Sequence, residues 1–118
     1  MSNYSKTNIG DGRRTELHDI LGLTGAEISV NNLQAGEGVP FFHSHKQNEE
    51  IYIVFKGKGV AIIDDETFDL VPGDVIRVAP EAKRKFSASQ DVGVSYICIQ
   101  VKENSIEQFT DADGVLVE

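Results

Sequence analysis

The stretch Gly38-Val39-Pro40-Phe41-Phe42-His43-Ser44-His45 is followed, after Lys46-Gln47-Asn48-Glu49, by Glu50-Ile51-Tyr52-Ile53-Val54-Phe55. Its apolar residues are mostly β-branched or aromatic and come in runs of strand length, a composition suited to a pleated, half-buried surface. Side chains on a strand alternate with a period of two, so His43 and His45 face one way on a strand over 39–45. Glu50, Tyr52 and Val54 share a face of a strand over 50–56. With Lys46 to Glu49 as a hairpin loop, Glu50 stands opposite His45 and Tyr52 opposite His43. Neighbouring strands lie about 4.8 Å apart and metal–nitrogen bonds are about 2.0–2.1 Å long. One ion can therefore touch two imidazoles and the carboxylate. Glu49 belongs to the loop or to the opposite face in this register.

Outward from this stretch the same rhythm continues. Short runs rich in Val, Ile, Phe and Tyr, each ending in Gly, Pro, Asn or Asp, predict further strands near 13–19, 26–32, 59–64, 67–71, 74–79, 84–88 and 93–102. Gly57-Lys58-Gly59 and Asp64-Asp65 read as hairpin tips, and Pro72-Gly73 as a type II turn in which Pro sets φ and Gly supplies φ > 0. Successive strands are then antiparallel, no long helix is needed, and the fold class is all-β. Many short strands that each bury one face close into a barrel or a two-sheet jelly roll, which also protects their edges. The 118 residues suit one domain, 1–118, with its core over 26–102. Residues 1–12 and the tail 103–118, including the acidic stretch Thr110 to Gly114, are expected to be peripheral.

Charge narrows the partners. Eleven Lys and Arg stand against 19 Asp and Glu, a formal net charge of -8, which repels phosphate backbones and anionic membrane surfaces. Nucleic acid and membrane are not expected partners. The lone cysteine, Cys98, allows no intrachain disulfide and, among apolar neighbours, reads as a buried, unreactive thiol. Together with a polar N-terminus and no apolar run of spanning length, this predicts a soluble, cytoplasmic protein.

Gly38 to His45, then Glu50 and Gly57, resembles the first motif of the cupin family. Pro72-Gly73-Asp74 through Pro80-Glu81-Ala82-Lys83-Arg84-Lys85 resembles its second. The two cover roughly residues 36–89. The resemblance implies a double-stranded β-helix, a jelly-roll barrel whose lumen holds one divalent metal ion (Zn, Fe, Mn or Ni), and it supports His43, His45 and Glu50 as ligands. The second motif departs from the family: Lys85 stands where a histidine is usual, five positions after Pro80, and Ala82 replaces a glycine. An ammonium has no lone pair to donate, so three roles are open to Lys85. It pairs with Glu50 in a metal-free pocket, binds the anionic group of a ligand above the metal, or turns to solvent. His18, Gln100 or water are the other sources of a further metal ligand, and a solvated place is the expectation for His18.

Two His and one carboxylate leave coordination positions open, an arrangement that polarises small oxygen ligands. The expected function is a metal site holding a small anionic or oxygen-bearing molecule, with Lys85, Tyr52 and Phe41 touching it. As an enzyme it suits dioxygenase or isomerase chemistry, with Tyr52 and Glu49 as candidate proton carriers. The rival is a binding or sensor module without turnover, which the missing histidine favours. Ile51, Ile53 and Phe55 point away from the ligands and need a cover, a second layer or another subunit; a homodimer is expected.

Overall fold

The computed structural model describes residues 2–109 and 111–117. Met1, Thr110 and Glu118, which fall in the segments expected to be peripheral, lie outside the described residues. The described strands are β1 (Arg14–Glu16), β2 (Glu27–Leu33), β3 (Asn48–Gly57), β4 (Gly59–Ile63), β5 (Glu66–Leu70), β6 (Val75–Val78), β7 (Arg84–Ala88) and β8 (Val94–Lys102). A short helix, α1 (His18–Leu21), and a 3-10 turn at Asp111–Asp113 complete the elements. Two sheets form, in the order β1-β2-β8-β3-β6 and β5-β4-β7, and every pairing is antiparallel. No helix among the described residues is long and apolar enough to cross a membrane.

The sheets close on a core in which the period-two alternation is visible residue by residue. Tyr52 and Val54 from β3 and Val78, Tyr96 and Cys98 from its neighbours meet Ala61, Leu70 and Phe86 from the other sheet. Tyr52 stacks on Phe86 with ring centroids 4.0 Å apart and planes 18° from parallel. Each large apolar side chain taken fully out of water here contributes about 1.5–3 kcal/mol. The alternate residues of β3 point outward as expected, Ile51 and Ile53 half-buried and Phe55 exposed.

Two of the expected turns form. Asp64-Asp65 joins β4 to β5, with Ile63 paired to Glu66 and Asp64 at φ 53°. Pro72-Gly73 makes the type II turn, with Gly73 at φ 98° and Asp74 N–H donating to the Val71 carbonyl at 3.1 Å.

Three local expectations need correction. Gly57-Lys58-Gly59 is a crossover between the sheets and not a hairpin tip, because β3 pairs with β6 and β8 while β4 pairs with β5 and β7. Gly57 takes φ 82°, and a Cβ there would collide with the Gly93 carbonyl oxygen; only glycine permits the backbones to pass this closely. Next, β1 stops at Glu16, and His18 begins a helix.

The largest correction concerns 39–45, which is not a strand hairpinned to β3. Both edges of β3 are already taken, Glu50 lying between Val78 of β6 and Gln100 of β8. The segment runs instead along β7, pairing with it through the isolated bridges Gly38–Ser87 and His43–Arg84. The two bridges differ in register by two residues, which interrupts the ladder between them.

Candidate metal centre

Glu50 and the two histidines therefore arrive from opposite sides of the barrel. Glu50 sits on β3, an interior strand of the larger sheet, its side chain inward and 4% exposed. His43 exchanges both backbone hydrogen bonds with Arg84, at 3.2 and 3.0 Å, and His45 N–H donates to the Pro80 carbonyl at 2.7 Å. These bonds anchor the crossing segment to β7 and the turn before it, so that both rings lean over the Glu50 carboxylate. The expected pairing of Glu50 with His45 across a hairpin is absent, yet the convergence it was meant to produce is present. His43 Nε2 lies 3.7 Å from Glu50 Oε1 and His45 Nε2 lies 3.2 Å from Oε2. One donor atom from each of the three residues falls within 4.8 Å of the others.

The carboxylate is held on every side. The Tyr52 hydroxyl donates to Oε1 at 2.6 Å and the Cys98 thiol donates to Oε2 at 3.3 Å. Arg84 Nε stands 3.5 Å from Oε1. Burial by itself would raise the Glu50 pKa, but the Tyr52 and Cys98 hydrogen bonds and the charges of His45 and Arg84 outweigh it, and the carboxyl is held below its ordinary value. Burial pushes the His43 pKa down, against the pull of Glu50 and with the help of Arg84 and His45, which favours a neutral imidazole with a free lone pair. The Tyr52 hydroxyl is pushed up, chiefly by burial, and the Cys98 thiol is pushed up to about 12 for the same reason. Both keep their protons and act as donors to Glu50.

The donor set fits a divalent ion. Two ligand atoms each about 2.0–2.1 Å from a tetrahedral ion are about 3.4 Å apart, close to the histidine–carboxylate separations of 3.2 and 3.7 Å. His45 Nε2 is buried without a hydrogen-bond partner; it faces Oε2 but off the line a hydrogen bond requires. A buried polar nitrogen with no partner is costly, and a cation between it and the carboxylate removes that cost. Arg84 Nε, the other buried orphan, acts the opposite way, since its fixed charge opposes a cation.

Above the three residues lies a chamber of about 310 Å3, walled by Val39, Phe41, Tyr52 and Tyr96 and, among polar groups, by Arg14, Glu16, Glu27, Ser29 and Gln100. A larger hollow of about 720 Å3, flanked by Lys56, Lys58 and Val92, shares no residue with it and holds no histidine.

The remaining candidates separate clearly. Tyr52 and Phe41 line the chamber, although Phe41 is 61% exposed. Glu49 is not available as a proton carrier: it faces out of the barrel, where Arg77 Nε donates to its Oε1 at 2.7 Å. Lys85 is not on the chamber wall; its Nζ lies 5.5 Å from the Phe42 ring centroid. His18 bonds its own neighbour, with Nδ1 2.8 Å from Asp19 Oδ1. Gln100 reaches the chamber, and its Oε1 accepts from Asn48 Nδ2 at 2.8 Å.

Arg84 is the residue that reading the sequence missed. The signal was there: Phe86 and Ala88 are core residues, so a period of two along β7 turns Arg84 inward and Lys85 outward. The motif spacing from Pro80 points to Lys85, one position past the residue that faces inward.

Residues 29–100 match the cupin domain family. A cupin protein from Bacteroides fragilis is 52% identical, with each chain covering 100% of the other and a TM-score of 0.97. A sugar phosphate isomerase of the cupin superfamily from Silicibacter pomeroyi is 20% identical, with 90% of this chain and 81% of that one aligned at a TM-score of 0.67; at that identity the likeness concerns the fold alone. An uncharacterised protein of Methanocaldococcus jannaschii is 32% identical over 56 residues, which are 48% of this chain and 45% of that relative, so the match spans less than half of its length. Together with the eight-strand barrel and the histidines leaning over Glu50, the family match over most of the described barrel leads to one conclusion: this chain belongs to the cupin family.

Proposed function

We propose that the protein holds one divalent metal ion, Zn, Fe, Mn or Ni, between His43, His45 and Glu50, with a small anionic or oxygen-bearing molecule in the chamber above. The observation that carries this reading is the buried, partnerless Nε2 of His45 beside a charged, buried carboxylate. When bound, such an ion supplies a Lewis-acid site with open positions that polarises a ligand oxygen. The chain's own residues do the rest. Tyr52 and Cys98 orient Glu50 and keep it charged, His43 stays neutral and able to donate, and Phe41 and Val39 offer an apolar wall to the ligand.

Dioxygenase or isomerase chemistry suits an open coordination sphere of this kind, and the name carried by the Silicibacter pomeroyi neighbour points towards the second. The alternative is a binding or sensor module without turnover, and a specific observation favours it: a buried arginine, Arg84, stands on β7 beside the ligand set, where a further metal ligand would otherwise project. A homodimer through the outer face of β3 and β6, where Phe55 and Val75 are exposed, and a cytoplasmic setting complete the reading.

Elemental analysis of protein purified without a polyhistidine tag tests it. About one transition metal per chain is expected, falling to background in the His43→Ala, His45→Ala double variant. Metal-free protein that does not take up Zn2+, Fe2+, Mn2+ or Ni2+ on titration, yet still binds a small anion, overturns the metal reading in favour of the module.

A further inference from the structure

Arg84 has no part in the ligand set, yet it is fully buried, at 0% exposure. Its Nη2 donates to the Ala79 carbonyl at 2.8 Å and its Nη1 to the Pro80 carbonyl at 3.4 Å. Its Nε faces Glu50 Oε1 at 3.5 Å without a hydrogen bond. The paired backbone bonds between Arg84 and His43 hold this side chain on the same side of the barrel as the histidine, since directly opposed residues of an antiparallel pair project to one face. A guanidinium does not give up its proton in a protein. The charge is therefore permanent and cannot swing away.

Its presence changes the charge balance at the centre. Glu50 and Arg84 cancel one another, and a histidine nitrogen that ligates an ion does so without its proton. Of the other charges on the chamber wall, Arg14 lies 3.7 Å from Glu16. Glu27 has one carboxylate oxygen occupied by the His18 N–H at 2.9 Å, and it is not in the group of donors that share a 4.8 Å sphere. A divalent cation among His43, His45 and Glu50 would leave this cluster with two unbalanced positive charges in a partly buried site, since Arg84 already offsets Glu50 and the other wall carboxylates, Glu16 and Glu27, lie outside the donor group. Unpaired charge in such a place is strongly disfavoured.

We infer that Arg84 makes the centre depend on an anionic co-ligand: it takes up a divalent cation weakly alone and tightly together with a small carboxylate that carries a second donor oxygen. The three protein donors leave positions for both oxygens on the ion, and the 310 Å3 chamber is of a size for a small organic acid. The inference rests on the metal reading above and adds its ligand class. Because linkage is reciprocal, cation and anion must tighten each other by the same factor.

The test is a calorimetric titration of chelator-treated, tag-free protein with Co2+, without and with saturating sodium glycolate, corrected for Co2+–glycolate binding in solution. The expected result is an apparent Co2+ dissociation constant at least tenfold lower with glycolate, and the same factor for glycolate when Co2+ is present. In Arg84→Met, Co2+ alone should bind at least tenfold more tightly than in the wild type, with glycolate adding less than threefold. Arg84→Lys, which keeps the charge, should behave as the wild type does. Wild-type affinity for Co2+ that stays within twofold on adding glycolate overturns the inference and needs no variant to fold; so does Arg84→Met with unchanged Co2+ affinity and coupling. Co2+ binding to none of these proteins, with or without glycolate, overturns the metal reading itself and the inference with it, a different result from binding without coupling.

Discussion

Replacing Tyr52 by Phe removes one hydroxyl and leaves almost everything else in place. The ring keeps its stack on Phe86, 4.0 Å away, and its contact with Tyr96 at 5.7 Å, so the apolar packing terms cancel between wild type and variant. What is lost is a 2.6 Å hydrogen bond to Glu50 Oε1. Tyr52 is 3% and Glu50 4% exposed, so bulk water cannot take the place of the hydroxyl. Hydrogen bonds to charged groups contribute about 1.5–3 kcal/mol, which for a domain of this length lowers the melting temperature by about 6–12 °C. The assay is urea and thermal unfolding of both proteins with a chelator present, at a series of pH values. The bond is to the charged carboxylate, so the difference should be complete above the ordinary carboxyl value. It should shrink as the pH falls through the lower value at which folded Glu50 takes its proton. A loss below about 0.5 kcal/mol at pH 7, or a loss that does not change with pH, would refute the claim that Tyr52 holds a charged Glu50.

Two further perturbations probe the same framework. The folded Glu50 carboxyl sits below its ordinary 4.5 and folded His43 below its ordinary 6.5, so in both cases the unfolded chain binds the proton first and stability falls with falling pH. The His43 contribution starts to fade near its ordinary value, the Glu50 contribution further into acid; the melting temperature of chelator-treated protein should drop steadily from pH 7 to pH 4, and a flat or rising profile contradicts the assignment. Gly57→Ala places a side chain at φ 82° with its Cβ against the Gly93 carbonyl oxygen, a backbone atom that cannot step aside. The cost should be about 3 kcal/mol or more in urea unfolding, and a cost under about 1 kcal/mol would show that the crossover can relax.

The strongest signals in the sequence are local. The alternation of Glu50, Tyr52 and Val54 against Ile51, Ile53 and Phe55 depends only on the strand period, and it holds along β3. The Pro72-Gly73 and Asp64-Asp65 turns are specified by the conformations those residues permit. Where the reading erred, the deciding contact was between residues distant in the chain. Gly57-Lys58-Gly59 has the composition of a hairpin tip, and only the pairing of β3 with β8 and of β4 with β7 makes it a crossover. Lys85 is the exception: the spacing from Pro80 points to it, but the local alternation anchored on Phe86 turns Arg84 to the inside.

The metal centre shows the same division. From sequence alone came the identity of the three converging groups, since His43 and His45 on one side of an extended segment and Glu50 on one face of a strand are matters of local periodicity. The tertiary structure alone decided how they meet, across the barrel from the edge of β7 and not over a hairpin. The strand period turns Arg84 inward, and the bridge between His43 and Arg84 sets its charge beside them. Backbone hydrogen bonds saturate: once β6 and β8 occupy both edges of β3, no third strand can pair there, and the histidines must be delivered from the opposite sheet, bringing Arg84 with them.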